Sequence, residues 1–555
     1  MSYVSTHGTR VVPRRAPIAN AGQLPDCVGG FGWGADDWAK LRRFLILGSE
    51  GGTYYASEFV LTRANAQAVE RCISEDGERA VGEIVHTSEQ GTAPRNDPAL
   101  FALAMAAGTG NERTRRLALE MLPRVAQTGG QLLRFAAFVE QFRGWGRALR
   151  RAVGRGYAAL PVDALAYQAV KYRGREGLTH RDLLRLAHPA ASVSAGNPET
   201  EISAGHATLF EWIVRGTAAD RLPPLLEGFA LAQAAATPAR AAALVHQYGL
   251  PREALRPEHL SSAEVWSALL ENMPISALVG SLGTMTRVGL IAPGSAGTRQ
   301  VLAKLGDRAR IRDAQVHPIQ LLAGLRRYAT GHNVRTPARW TPVTDVIDAL
   351  EMAFCLAFEN VEATGKRMLL ALDVSSSMAV GEVAGVRGLT PRDASAALAL
   401  VTAAAEDRCE IVGFSAGESA FRKRGRGRIP GRADGLAPLD IFPCDRFEDA
   451  IAAVSELPFG GTDCALPMIY AQALGREVDT FVIYTDAETW AGRVHPAQAL
   501  REYRAASGID AQLVVVGMVS NGFSIADPGD PGMLDVVGFD SATPRLIASF
   551  AHGAL

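Results

Sequence analysis

The apolar periodicity of this chain changes near residue 360, and that switch limits the architecture more than any other feature. Upstream, "DDWAKLRRFLIL" (36–47), "DPALFALAMAA" (97–107), "RTRRLALEMLPRVA" (113–126), "GQLLRFAAFVEQF" (130–142) and "SSAEVWSALLENM" (261–273) repeat apolar residues at helical spacing. Gly129-Gly130, Asn197-Pro198 and Ala292-Pro293-Gly294 punctuate them. No strand-like alternation competes, so the first part is expected to be a helical-repeat solenoid whose neighbouring helices bury one another. Downstream, "RMLLALD" (367–373), "EIVGF" (410–414), "TFVIYTD" (480–486) and "AQLVVVG" (511–517) are short unbroken apolar runs, as strands buried on both faces require. Helical stretches at 392–406, 447–456, 465–474 and 497–506 alternate with them, which predicts a doubly wound α/β sheet. Glu362-Ala363-Thr364-Gly365-Lys366 marks the boundary.

Charge follows the same division. The net charge of the 555 residues is −1, but residues 1–365 hold 40 Lys+Arg against 34 Asp+Glu and the rest 17 against 24. Residues 143–185 concentrate ten basic groups and three acids, Asp163, Glu176 and Asp182. Such a patch attracts a polyanion or is a solvated helix face; charge alone leaves both open. The six cysteines form no CxxC pair, which implies neither a disulfide scaffold nor a zinc site and fits a reducing, cytoplasmic setting. The N-terminus carries Arg10, Arg14 and Arg15 without an apolar segment, so no secretory signal is read there, and no apolar run is long enough to span a membrane. The first residues are expected to form a loose arm.

The chemistry-bearing motif begins where the strand 367–373 ends. Asp373, Ser375 and Ser377 place three oxygens in one loop at the ligand-binding edge of a sheet. Thr462, in Gly-Gly-Thr-Asp, and Asp486, closing "TFVIYTD", add two more. A set of five oxygen donors suits Mg²⁺, which takes oxygen ligands and keeps waters in its remaining positions. The order is similar to the metal-ion-dependent adhesion site of von Willebrand A domains. A phosphohydrolase or nuclease would need a nucleophile or paired carboxylates able to clamp two metals, but position 375 is Ser. Binding is favoured over turnover.

In "PVDALAYQAVKYRGREG", Leu165, Ala169 and Tyr172 share an apolar stripe, while Lys171 and Arg175, four apart, are expected one above the other on an exposed helix face. Thr179-His-Arg-Asp182 is a capping-box pattern, and Leu178 can staple to Leu183. On the helix that follows, Arg181, Arg185 and His188 are expected on one face, with Leu183, Leu184 and Leu186 turned to the core. Five donors on two consecutive helices suit the phosphates of a folded RNA. "FRKRGRGRIPGR" (421–432) reads either as an RNA-binding loop or as a solubilising insertion.

Together these residues resemble the TROVE family of Y-RNA-binding Ro proteins, in a bacterial form. The matching runs include "WGRALRRAV" (145–153), "AVKYRGREGLTHRDLLRLAH" (169–188), "EVWSALLENMP" (264–274), "ATGKRMLLALDVSSSM" (363–378), "GGTDCALPMIYA" (460–471), "YTDAETWAG" (484–492) and "NGFSIADPGDPGMLDVVGFD" (521–540), in order from residue 30 to 545. The resemblance implies an arm over 1–28, a ring of HEAT-like helices over 29–362 and a von Willebrand A domain over 363–555. It implies Y RNA on the outer surface at Lys171, Arg175 and His188, and the 3′ ends of misfolded or structured non-coding RNAs in a basic central hole, where some of Arg134, Arg143 and Arg147 would supply sequence-independent affinity. The metal ligands it implies are Asp373, Ser375, Ser377, Thr462 and Asp486. It further implies a non-catalytic, single-copy protein in a ribonucleoprotein. An exoribonuclease such as polynucleotide phosphorylase would be its partner in RNA decay and ribosomal RNA maturation under stress.

Overall fold

The computed structural model describes residues 61–553 with interruptions, the longest being 190–202, 416–434, 456–461, 487–493 and 519–524. Of the first sixty residues it describes mainly 37–48, with the short strands Leu24–Pro25, Phe31–Gly32 and Thr53–Tyr55. The rest of the N-terminal arm, Glu176 and the segment 421–432 lie outside the described residues. The chain divides into two compact units, residues 37–50 with 60–299, and residues 300–555 with 1–36 and 51–59.

The first unit is helical. Its most apolar helix, Asp97–Thr109, is buried on every side from Pro98 to Ala107 and packs between Gln67–Gln90 and Gly129–Val139. Gly108 allows that packing, since a Cβ there would lie 2.2 Å from the Cβ of Phe142. The periodic stretch 113–126 is not one helix but two, Glu112–Glu120 and Leu122–Val125, interrupted at Met121 two residues before Pro123. Downstream follow Arg147–Ala158, Val162–Lys171, His180–Ala187, Ala204–Arg215, Pro224–Ala234, Pro238–Tyr248, Ala263–Glu271 and Ile275–Arg287.

The second unit is built on a seven-stranded sheet of β1 (Thr53–Tyr55), β2 (Met368–Asp373), β3 (Cys409–Phe414), β4 (Leu436–Pro438), β5 (Thr480–Thr485), β6 (Gln512–Gly517) and β7 (Met533–Val537), in the order β1-β7-β6-β5-β2-β3-β4. Every pairing is parallel except β3 with β4. β2 and β5 are buried along their whole length, as expected of strands covered on both faces. The helices Pro391–Ala405, Phe447–Ser455, Leu466–Ala473 and Pro496–Ser507 alternate with the strands, and Thr543–Ala551 follows the last. Upstream helices belong to the same unit: Arg446 pairs with Glu351 at 2.6 Å, and the Phe354 and Phe447 rings meet edge-on at 6.2 Å.

The expectation that no strand precedes residue 360 is corrected. β1 pairs with β7, so its partner lies at the far end of the chain and local periodicity carries no trace of it. β4 and β7 also fall outside the four expected strands. β4 is only three residues long, and β7 carries Asp535 in its middle.

Candidate functional site

Chain progression reverses between β2 and β5. β2 leads through Pro391–Ala405 to its neighbour β3 on one side, whereas β5, β6 and β7 build outward on the other. The carboxyl ends of strands flanking such a switch point are where an α/β sheet opens a crevice for a ligand. Asp373 ends β2, and Thr485 ends β5 immediately before Asp486.

Asp373 is fully buried, and its two oxygens organise the loop. Oδ1 accepts the Ser375 backbone N–H at 2.8 Å; Oδ2 accepts the Thr485 hydroxyl at 2.8 Å and the Thr462 hydroxyl at 3.2 Å. The Ser375 and Ser377 hydroxyls lie 3.0 Å apart. Asp486 is buried as well, and its charge reaches Asp373. Desolvation, with a further contribution from Asp486, pushes the Asp373 carboxyl up to about 6 despite those hydrogen bonds. Ser377 alone of the set is exposed. Two buried carboxylates facing hydroxyls form a hard oxygen set whose repulsion a small cation relieves, so the residues fit Mg²⁺.

Two contributors escape the sequence reading. Thr485 reads there only as strand, although its place beside Asp486 puts it on the same edge. Arg392, also buried, donates from Nη2 to the Ser375 carbonyl at 3.2 Å. Asp463, which closes the Gly-Gly-Thr-Asp motif, accepts the Ala465 N–H at 3.1 Å instead, and burial pushes its carboxyl up to about 6. Among the described residues no group of three or more His, Cys, Asp or Glu side chains could hold a metal; hydroxyls make up the rest of this donor set.

The basic face is assembled differently from the expectation. The helix Val162–Lys171 stops at Lys171, and Arg175 lies on a two-residue strand, Gly174–Arg175, paired with Leu178–Thr179. The pair is therefore not stacked on one helix face; it is brought together by Tyr172. Lys171 Nζ lies 5.5 Å from the Tyr172 ring centre and the Arg175 guanidinium 5.1 Å. Tyr167, one turn before Lys171, adds a second ring at 5.2 Å and a hydroxyl 3.2 Å from Nζ. Partial burial works against the Lys171 charge, but the Tyr167 hydroxyl and nearby charges, Glu253 included, leave its pKa raised. Arg173 turns elsewhere, over Phe229 at 4.8 Å.

The capping box is present as expected. Asp182 accepts the Thr179 N–H at 3.0 Å and hydroxyl at 2.6 Å, which together with Arg181 and Arg185 lowers its pKa. Arg181 and Arg185 are exposed, Leu183 and Leu184 buried and Leu186 half-buried. His188 is exposed but off the helical face: it caps the helix in the left-handed conformation, φ 46°. Arg147 is exposed. Arg143 is half-buried and donates to the Ala107 carbonyl at 2.8 Å, while burial and neighbouring Arg115 lower its pKa. Arg134 is paired with Asp97, so its charge is compensated.

Comparison with known proteins decides the family. The TROVE domain matches residues 28–215 and 251–326, and the Ro60 vWA domain matches 367–551. The chain is 41% identical to the RNA-binding protein RO60 of Deinococcus radiodurans, covering 96% of each, and 31% identical to that of Caenorhabditis elegans, covering 98% of this chain and 92% of the relative. This chain belongs to the Ro60 family. The crystal structure of the Deinococcus radiodurans Ro protein superposes with a TM-score of 0.82 at 40% identity, over 94% of this chain and all of that one. In a Ro60 protein, then, the oxygen set lies in the vWA region and the basic face in the TROVE region.

Proposed function

We propose that this Ro60 protein is a non-catalytic RNA-binding scaffold whose TROVE region holds Y RNA on the face of Lys171, Arg175, Arg181, Arg185 and His188. The observation that carries the reading is the electrostatic balance of that face. Arg175, Arg181, Arg185 and His188 are exposed and Lys171 half-exposed, while among the described residues the nearby acids are Asp182, committed to its helix cap, and Glu253, whose charge acts on Lys171. A face left positive in this way suits the phosphates of a folded RNA, and both relatives named above are RNA-binding proteins. Single-stranded 3′ ends of misfolded or structured RNAs are the second ligand, with Arg143 and Arg147 among their contacts in the central passage that the resemblance implies. An exoribonuclease such as polynucleotide phosphorylase is the partner that degrades or trims them, in RNA quality control and ribosomal RNA maturation under stress.

In the vWA region, Asp373, Ser375, Ser377, Thr462 and Asp486 would hold Mg²⁺, which supplies an electrophilic anchor for a carboxylate or phosphate of a partner. Exposed Ser377 puts that anchor within reach of solvent. A metal-dependent protein-binding role is compatible with RNA binding, because the two residue sets lie in different regions. The proposed setting is the cytoplasm, a reducing compartment in keeping with Cys72, Cys355, Cys409 and Cys464, which form no disulfide. Among the described residues no helix is long and apolar enough to cross a membrane.

The test is a variant carrying Lys171→Gln, Arg175→Gln and His188→Gln. Each hydrogen bond to a charged group is worth about 1.5–3 kcal/mol, so affinity for in-vitro-transcribed Y RNA should fall more than tenfold with the thermal melt unchanged. Unchanged affinity overturns the reading.

A further inference from the structure

We propose that Tyr172 is the positioning residue of this RNA surface, a ring that holds Lys171 and Arg175 together so that they act as one site for neighbouring phosphates of a strand; this rests on the reading of the face as an RNA surface.

Lys171 ends a helix and Arg175 lies on a strand ladder, so nothing in the backbone repeat fixes their spacing. The ring between them does. Its own position is fixed: the Tyr172 N–H caps the helix on the Gln168 carbonyl at 2.8 Å, and the base of the ring sits over Gly130, where an added Cβ would lie 3.8 Å from Cγ. Both cations then lie within 5.5 Å of one ring centre. The negative face of an aromatic ring attracts each cation, and the phosphates of a strand supply the counter-charge for both. Tyr167 steadies Lys171 from the preceding turn through its own ring and hydroxyl. Arg173 shows what happens to a basic residue without this platform. It crosses to Phe229 and donates to the Glu253 carbonyl at 3.3 Å, away from Tyr172.

The ring is thus expected to matter to binding without touching RNA through a charge of its own. Tyr172→Leu removes the platform but no charge, whereas Tyr172→Phe keeps the platform. The affinity of the full chain for fluorescein-labelled, in-vitro-transcribed Y RNA is measured across a series of KCl concentrations, alongside Lys171→Gln. Tyr172→Leu should weaken binding roughly five- to thirty-fold, the range of two exposed cation–π pairs, and flatten the salt dependence by about 0.7–0.9 for each phosphate that is no longer neutralised. Tyr172→Phe should restore both affinity and slope, which a role of the hydroxyl would not produce, and the salt slope, read against an unchanged melt, separates charge positioning from packing. Should Tyr172→Leu also lower the protein's melt, Tyr167→Leu, at a residue 38% exposed, tests ring support of the Lys171 charge with its own melt as control. A smaller fall in affinity with a flatter slope supports the inference; no change overturns it. If Lys171→Gln weakens binding while Tyr172→Leu keeps wild-type affinity and slope, the positioning role fails and the RNA surface stands. If Lys171→Gln itself changes nothing, the RNA surface fails and the positioning role with it.

Discussion

Acid should destabilise the TROVE region through His180, which lies directly beneath the basic face. His180 opens the helix that carries Arg181 and Arg185, and only 2% of it is exposed. Its Nδ1 lies 2.8 Å from the Tyr157 hydroxyl, and the two rings meet edge-on at 5.8 Å. Gly129 makes room for it, since a Cβ there would come within 2.8 Å of the imidazole Cε1. Burial moves its pKa from the ordinary 6.5 down to about 4, in keeping with a site at a helix N-terminus, whose dipole disfavours a cation. The unfolded chain therefore binds the proton more tightly than the folded one. The stability this residue contributes is present above pH 6.5 and drains away as pH falls toward 4. Linkage gives a loss of about 2 kcal/mol between pH 7 and pH 5 from this one group, and roughly 3 kcal/mol in the acid limit. His317 in the second unit is likewise lowered to about 4 by burial and by Arg545, so the wild-type protein alone does not isolate the effect. The comparison that does is urea unfolding of wild type and His180→Gln at both pH values. The variant should be less stable at pH 7, without the imidazole hydrogen bond to Tyr157, yet lose about 2 kcal/mol less than wild type on acidification. Parallel pH dependences, or an imidazole resonance for His180 titrating near its ordinary value, would overturn this account.

The oxygen set should behave as a cation site. Mg²⁺ should raise the melting temperature of wild type, by the equivalent of about 2.7 kcal/mol at a hundredfold excess over the dissociation constant, and leave Asp373→Ala unmoved. Equal shifts in both proteins would remove the assignment. Asp182→Asn should part stability from binding. It weakens a capping box at a cost of about 0.5–2 kcal/mol while making the basic face more positive, so RNA affinity should hold or rise as the melt falls, and a fall in both would count against that face.

What the sequence makes legible depends on whether the signal is local. The buried runs of β2, β5 and β6 are unbroken in the chain, so continuous hydrophobicity identifies them. Asp373, Thr462 and Asp486 are legible because strand ends and a glycine turn place their oxygens. Their convergence in space is topological, set by β5 lying beside β2 instead of beyond β3. Arg175 is misplaced when helical spacing is carried across Gly174; the "RGREG" run, with Gly177 at φ +79°, already signals a turn. His188 is misplaced for a related reason. It precedes Pro189, which disfavours helical geometry at the residue before it, and the helix ends there in a left-handed cap.

Both candidate sites are built at the ends of elements, for a common physical reason. Within an element the core dictates residue type: Leu165, Ala166, Ala169 and Val170 are buried, as are all six residues of β2. One residue past the last buried turn that demand ends, while backbone groups left without ladder or helix partners call for polar side chains. Lys171 and Arg185 also sit in the last turns of their helices, where the dipole favours a cation. The two sites differ in how much folding is invested in them. Lys171, Arg175, Arg181, Arg185 and His188 reach solvent, so neutral replacements there report on binding with little cost to the fold. Asp373 is fully buried and anchors a backbone N–H and two hydroxyls from three stretches of chain. Its removal loses those hydrogen bonds but also relieves the buried charge, so the melt without cations is set by both, and only the change in the Mg²⁺-induced shift reports on the metal.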